Sequence, residues 1–157
     1  MKCREIYLAL LVCCLLFGAT SFSLGKETTS IRKGEDLTVA EWLAKAERCL
    51  FNGNDNEAAF NYEQALGIDP ENLSANIFLG NYYYVRAEIN RKEIDSSFNK
   101  QKKHTQAERE EYFNALSELV PTYDKAKKYL EKVLSRFPSS EVKKTLAHIE
   151  QLYQTIQ

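Results

Sequence analysis

Two histidines, His104 and His148, and Cys49, the one cysteine beyond the N-terminal segment, are the side chains best suited to metal or nucleophilic chemistry. Neither histidine has a Cys, His or carboxylate partner at metal-ligand spacing, so no metal site is expected. Glu108, Glu110 and Glu111 cluster, but on one helix such carboxylates solvate a face more often than they catalyse. No glycine-rich phosphate loop and no nucleophile elbow occurs. Tyr82-Tyr83-Tyr84 could stack on sugars or bases. Helical geometry, however, points three consecutive residues in different directions, which leaves them core and groove work. Lys100, Lys102 and Lys103 form a small basic cluster, too weak by itself for a lipid surface. Asn72-Leu73-Ser74 fits a glycosylation sequon, relevant only in a eukaryotic host. No catalytic residue, no cofactor and no enzymatic activity is expected.

The 157 residues fit one domain and carry a formal net charge of −1. Charges of both signs are interspersed, whereas a nucleic-acid binder would show a basic bias. Lys2 and Arg4 precede an apolar run from Ile6 to Phe17, and small residues follow it, Ala19 and Ser21 among them. The run is short for a bilayer span, which takes about 20 apolar residues. It reads as a cleaved signal peptide over residues 1–23, with an uncleaved anchor as the alternative. Cleavage after Ser21 would remove Lys2, Arg4 and Glu5 and leave a net charge of −2. Cys3, Cys13 and Cys14 would leave with it, so Cys49 could form no internal disulfide. It reads as a small buried hydrophobe. The expected location is outside the cytoplasm, periplasmic or secreted.

Residues 24–37 are polar and aperiodic and read as a flexible leader. From Thr38 onward the few prolines and glycines fall where helices should start or stop, and no strand-type alternation is sustained. The expected class is all-α. Trp42 to Pro70 resembles a tetratricopeptide repeat (TPR) unit, an antiparallel helix pair with large and small residues at fixed places. Trp42 takes the bulky start, Ala46 the small contact, Gly53-Asn54 the turn, and Ala58, Tyr62 and Ala65 the packing edge before Asp69-Pro70. Lys45 and Cys49 depart from the family's usual aliphatic and aromatic residues. A second unit follows in register with Leu79, Gly80 and Tyr83. It resumes only at Ala126, Leu130 and Val133 and closes at Phe137-Pro138. Sites that a plain unit sets nine apart are 43 apart here, an excess of 34 residues.

That insert is itself periodic. Phe78, Tyr82, Val85, Ile89, Ile94 and Phe98 step at helical intervals, and Tyr112, Phe113, Leu116, Leu119 and Val120 do so on the return. The economical reading is one elongated hairpin over residues 73–138. Its tip would lie at Asn99–His104, a Thr105/Glu108 capping box would open the return arm, and Pro121 would kink it. A separate extra helix pair is the rival topology. Residues 139–156 form an amphipathic capping helix, with His148 on its polar face. Unit one would occupy residues 39–72.

The resemblance implies binding to another protein. In this family the first helices of successive units line a groove for peptides or helices. By register that groove would comprise Leu43, Glu47, Leu50 and Phe51 in unit one and Ile77, Asn81, Tyr84 and Val85 in unit two. The family's clamp for acidic peptide C-termini uses Lys and Asn where Leu43 and Glu47 stand, so an apolar peptide or amphipathic helix is the expected ligand. The hairpin could support self-association. The expected function is therefore a non-catalytic interaction scaffold. The alternative is a membrane-anchored, self-associating structural protein that keeps its N-terminal segment.

Overall fold

The computed structural model describes residues 37–156; the expected signal peptide and nearly all of the leader lie outside the described residues. All six elements are helices: α1 (Val39–Phe51), α2 (Asp55–Ile68), α3 (Leu73–Phe98), α4 (Gln106–Ser117), α5 (Val120–Arg136) and α6 (Ser140–Ile156). Local chemistry explains their starts. Thr38 and Glu41 form a reciprocal capping box at α1, as do Thr105 and Glu108 at α4. Asn54 and Asn72 cap α2 and α3 by accepting from the backbone N–H groups of Glu57 and Ala75. Between α1 and α2, Gly53 takes φ 73°, a left-handed conformation that suits a residue without Cβ.

Side-chain pairs fix the directions. Tyr62 stacks on Phe78 at 4.5 Å, and the Tyr82 hydroxyl donates to Asn56 at 2.6 Å, so α2 and α3 run antiparallel. On α3, Gly80 faces Leu130, Glu88 meets Tyr123 and Asp95 meets Tyr112, which sets α5 and α4 antiparallel to it. Lys127 pairs with Glu150, and the Tyr153 hydroxyl donates to Asp124 at 2.7 Å, turning α6 back along α5. Packing thus runs α1, α2, α3, α5, α6 in sequence, with α4 carrying the return strand of the hairpin.

The insert is one hairpin. At 26 residues, α3 is about 39 Å long without a break. The return arm departs from a single rod at Glu118–Leu119, where α4 ends and α5 begins. Pro121 lacks the N–H that would bond four residues back, and its ring disfavours helix in the residues before it. Both linking residues keep right-handed helical angles, and Leu119 bonds back three residues to Leu116 at 3.0 Å. The arm is therefore kinked rather than reversed.

Small residues let the helices at the base approach closely. Ala46, Ala58, Ala65, Ala75 and Ala126 are fully buried, with Leu79 and Leu130 between them. A Cβ on Gly80 would lie 2.7 Å from Leu130 Cδ2 and 3.4 Å from its backbone nitrogen. Glycine is thus required there by the α3–α5 contact, in spite of its cost within a helix. Further along the hairpin the helical period overstates burial. Ile89 and Phe113, expected to pack along their arms, are exposed, because each arm there is covered on one side only.

Candidate protein-binding face

The first half of the candidate face is a stripe on α1. Leu43, Glu47, Leu50 and Phe51 recur at helical spacing, and Ala46, beside Leu43 and Leu50 on the helix, is buried at the edge of that stripe. Leu43 and Leu50 are half-buried, Glu47 is exposed, and Phe51 is 92% exposed at the end of the helix. Trp42 lies on a neighbouring side of α1, where its ring meets the edge of Phe60 at 6.3 Å and carries the Lys45 ammonium at 4.7 Å. Cys49 is half-buried and its sulfur accepts from Asn61 Nδ2 at 3.5 Å. Cys49 is therefore half-buried against α2 rather than the fully buried hydrophobe expected.

The second half lies on α3. Ile77, Asn81, Tyr84 and Val85 are all half-buried. Asn81 donates to the Ile77 carbonyl at 2.9 Å, which keeps its amide along the helix. Tyr84 differs from the other three. Its ring meets Tyr123 edge-on at 6.4 Å and His148 of α6 at 6.2 Å, so the C-terminal helix already covers it. Burial, and then the nearby Glu88 charge, push its hydroxyl pKa up. Ile77, Asn81 and Val85 meet no such ring contact.

The residues flanking the face are packing residues. Tyr83 turns away from it, stacks on Tyr129 at 6.1 Å, and donates to Glu63 of α2 at 2.6 Å. Tyr62 is buried, and that burial, followed by Glu47, raises its hydroxyl pKa to about 12. Pro70 is exposed, and its carbonyl accepts from Asn76 Nδ2 at 3.1 Å and Lys132 Nζ at 3.0 Å, tying the α2–α3 turn to α5. Pro138 is exposed just past the end of α5.

Sequence reasoning missed a polar cluster behind Tyr84. Glu88, whose side chain is 13% exposed, accepts from Arg91 in bidentate fashion at 3.0 Å and from the Tyr123 hydroxyl at 2.6 Å. His148 Nε2 lies 3.3 Å from the same carboxylate. His148 thus does not belong to a free polar face, as its helical position had implied; its ring turns to Glu88 and Tyr84 of α3, with the side chain 38% exposed. Arg91 also pairs with Asp95, which accepts from the Tyr112 hydroxyl at 2.9 Å. Burial alone would raise the Glu88 pKa, but hydrogen bonds from Arg91 and Tyr123 outweigh it and hold the group at about 2. The spacing of Glu88, Arg91 and Asp95 is a local signal for the ion pairs on α3, but nothing local ties them to His148, 60 residues from Glu88.

Among the described residues no group of three His, Cys, Asp or Glu side chains could hold a metal ion, and no helix is long and apolar enough to cross a membrane.

The chain is similar to a solved structure from Bacteroides ovatus ATCC 8483 described as a "putative protein binding protein". The two share 38% sequence identity with a TM-score of 0.70. The match covers 76% of this chain and 59% of that one, so the chain spans well under two thirds of the other's length. No family model and no curated protein matches. The likeness extends over most of the chain and supports the all-helical architecture.

Proposed function

We propose that the chain is a non-catalytic protein-binding adaptor of the TPR type, acting outside the cytoplasm, with its partner held along the first-helix faces of α1 and α3. The observation that carries the reading is the α1 stripe. Phe51 is 92% exposed, and Leu43 and Leu50, each half-buried, extend that apolar surface along the helix. An apolar stripe left open on a helix fits an amphipathic helix or extended apolar segment. The similarity to a structure described as a putative protein-binding protein is consistent with it. Ile77, Asn81 and Val85 would continue the face on α3, while Tyr84 belongs to the core beneath α6.

The test is affinity capture of a partner from the native envelope, comparing wild type with Leu50→Ala/Phe51→Ala. Tyr84→Ala is unsuitable, because it would open the packing with Tyr123 and His148. The expected result is loss of the partner with helicity unchanged. Retention of the full complement of partners by the double variant would overturn the assignment of this face. Capture of the chain's own copies alone would favour the self-associating structural reading.

A further inference from the structure

The hairpin tip holds a cavity that the α1–α3 face does not use. Its volume is about 400 Å³, and it lies between the end of α3 and the start of α4. Its apolar wall is Ile94, Phe98, Tyr112 and Ala115. That wall is rigid. The Phe98 ring is sandwiched between His104 at 3.7 Å and Tyr112 at 4.2 Å, and Asp95 fixes the Tyr112 hydroxyl. The cavity's polar lining carries three carboxylates, Glu93 from α3 and Glu108 and Glu111 from α4.

Glu108 lies within the fields of His104 and Arg109, but no cation of the described chain pairs with the other two. Arg91, one turn nearer the base, is already engaged by Glu88 and Asp95, and neither Glu93 nor Glu111 has an ion pair. The loop lysines Lys100, Lys102 and Lys103 are exposed and form no ion pair with the cavity. Glu108 uses Oε2 to accept from the Thr105 backbone N–H and hydroxyl. The three carboxylates are also too dispersed to chelate a metal ion. Dispersed negative charge around an apolar, aromatic wall suits an extended cation with a hydrocarbon stem. Arginine meets that description best, since its planar guanidinium can donate to two carboxylates while its methylenes lie against Ile94 and Ala115.

We propose that this cavity takes an arginine side chain presented by a partner protein, so that the hairpin tip is a second, charge-selective contact. The proposal rests on the protein-binding reading and adds a surface to it.

The purified chain is titrated with acetyl-Gly-Arg-Gly-amide while the ring signals of Tyr112, Phe98 and His104 are followed by NMR, and the same peptide with citrulline serves as the uncharged control. Saturable shifts of those rings are expected with the arginine peptide. Binding should weaken about tenfold with citrulline and about tenfold in Glu93→Gln/Glu111→Gln, as for the loss of charge-assisted hydrogen bonds. Both substituted residues are exposed, and unchanged helicity would show that the fold is intact. Equal binding of the two peptides, or binding indifferent to the double substitution, would overturn the proposal. So would concentration-dependent dimerisation that requires Lys100, Lys102 and Lys103 and blocks the peptide, because the occupant would then be a second copy. Leu50→Ala/Phe51→Ala should leave the peptide shifts unchanged, so failure of the α1 face and failure of the tip are read separately.

Discussion

The base of the molecule and the outer half of its hairpin are both helical and antiparallel, yet they are held by different means. At the base, α2, α3 and α5 meet through alanines and Gly80, and the contact is backbone-close. Farther out, beside the buried Ala87, Leu116 and Leu119, the side chains of Glu88, Arg91, Asp95, Tyr112 and Tyr123 tie α3 to α4 and α5 through polar contacts, and three stacked rings close the end. A backbone-close contact tolerates almost no added volume. A side-chain-mediated one tolerates volume but depends on charge state. The base should therefore break by steric change, and the hairpin by loss of charge.

The largest effect expected from this contrast is at Gly80. In Gly80→Val the new Cβ would overlap Leu130, itself buried, and the second γ-carbon of valine would add to the clash. Overpacking of this kind costs about 3 kcal/mol, beyond any gain in helix propensity. Urea denaturation should show the loss at every pH. A stability within about 0.5 kcal/mol of wild type would mean that α3 and α5 can separate cheaply, and the contrast between the regions would lose its first half.

The second effect belongs to the hairpin and depends on pH. The folded-state pKa of Glu88 is about 2, below its ordinary value of 4.5. The unfolded chain therefore takes up the proton first. The stabilisation is complete above about pH 5 and is lost as pH falls from there towards 2. The difference corresponds to about 3 kcal/mol. Glu88→Gln should be less stable than wild type at pH 7, with the gap closing as pH is lowered to 2.5. Gly80→Val should show no such convergence. Two parallel stability curves for wild type and Glu88→Gln would contradict a charge-dependent hairpin.

How much of this could be read from the chain follows the same division. The elements of the base depend on local rules: Asn54 and Asn72 as caps, Gly53 in the turn, and alanines recurring on one side of α2. At the far end, Thr105 and Glu108 are three residues apart, so the start of α4 was equally legible, and Pro121 marked the kink. In the polar cluster, Glu88, Arg91 and Asp95 have the spacing of helical ion pairs, but the reach of Glu88 to Tyr123 and His148 across 35 and 60 residues was not legible. Periodicity also errs in both directions. On the candidate face it groups Tyr84 with Ile77 and Asn81 although α6 covers it, and beyond that face it puts Ile89 in the apolar stripe of α3 although Ile89 is exposed. A helical period reports which residues share a side of their own helix. Whether another helix lies on that side depends on chain far away in sequence.

The smallest effect compares identical caps in the two regions. Thr38 and Thr105 each accept from the backbone N–H three residues on, and each receives the reciprocal contact from the glutamate there. Replacing either by alanine removes about 1 kcal/mol of local helix-start stability. The consequence should differ. The α1 helix packs along its length against α2, with Ala46 at the contact, so fraying at Thr38→Ala is checked within a turn. The α4 helix buries only Leu116, near its far end, and its first two turns depend on Tyr112 and the stacked rings. Hydrogen exchange should therefore show faster exchange over a single turn in Thr38→Ala, but across Gln106–Tyr112 and the end of α3 in Thr105→Ala. Fraying of equal extent at the two caps would mean that the aromatic stack anchors α4 as firmly as the alanine contact anchors α1, and the two regions would differ in chemistry but not in local stability.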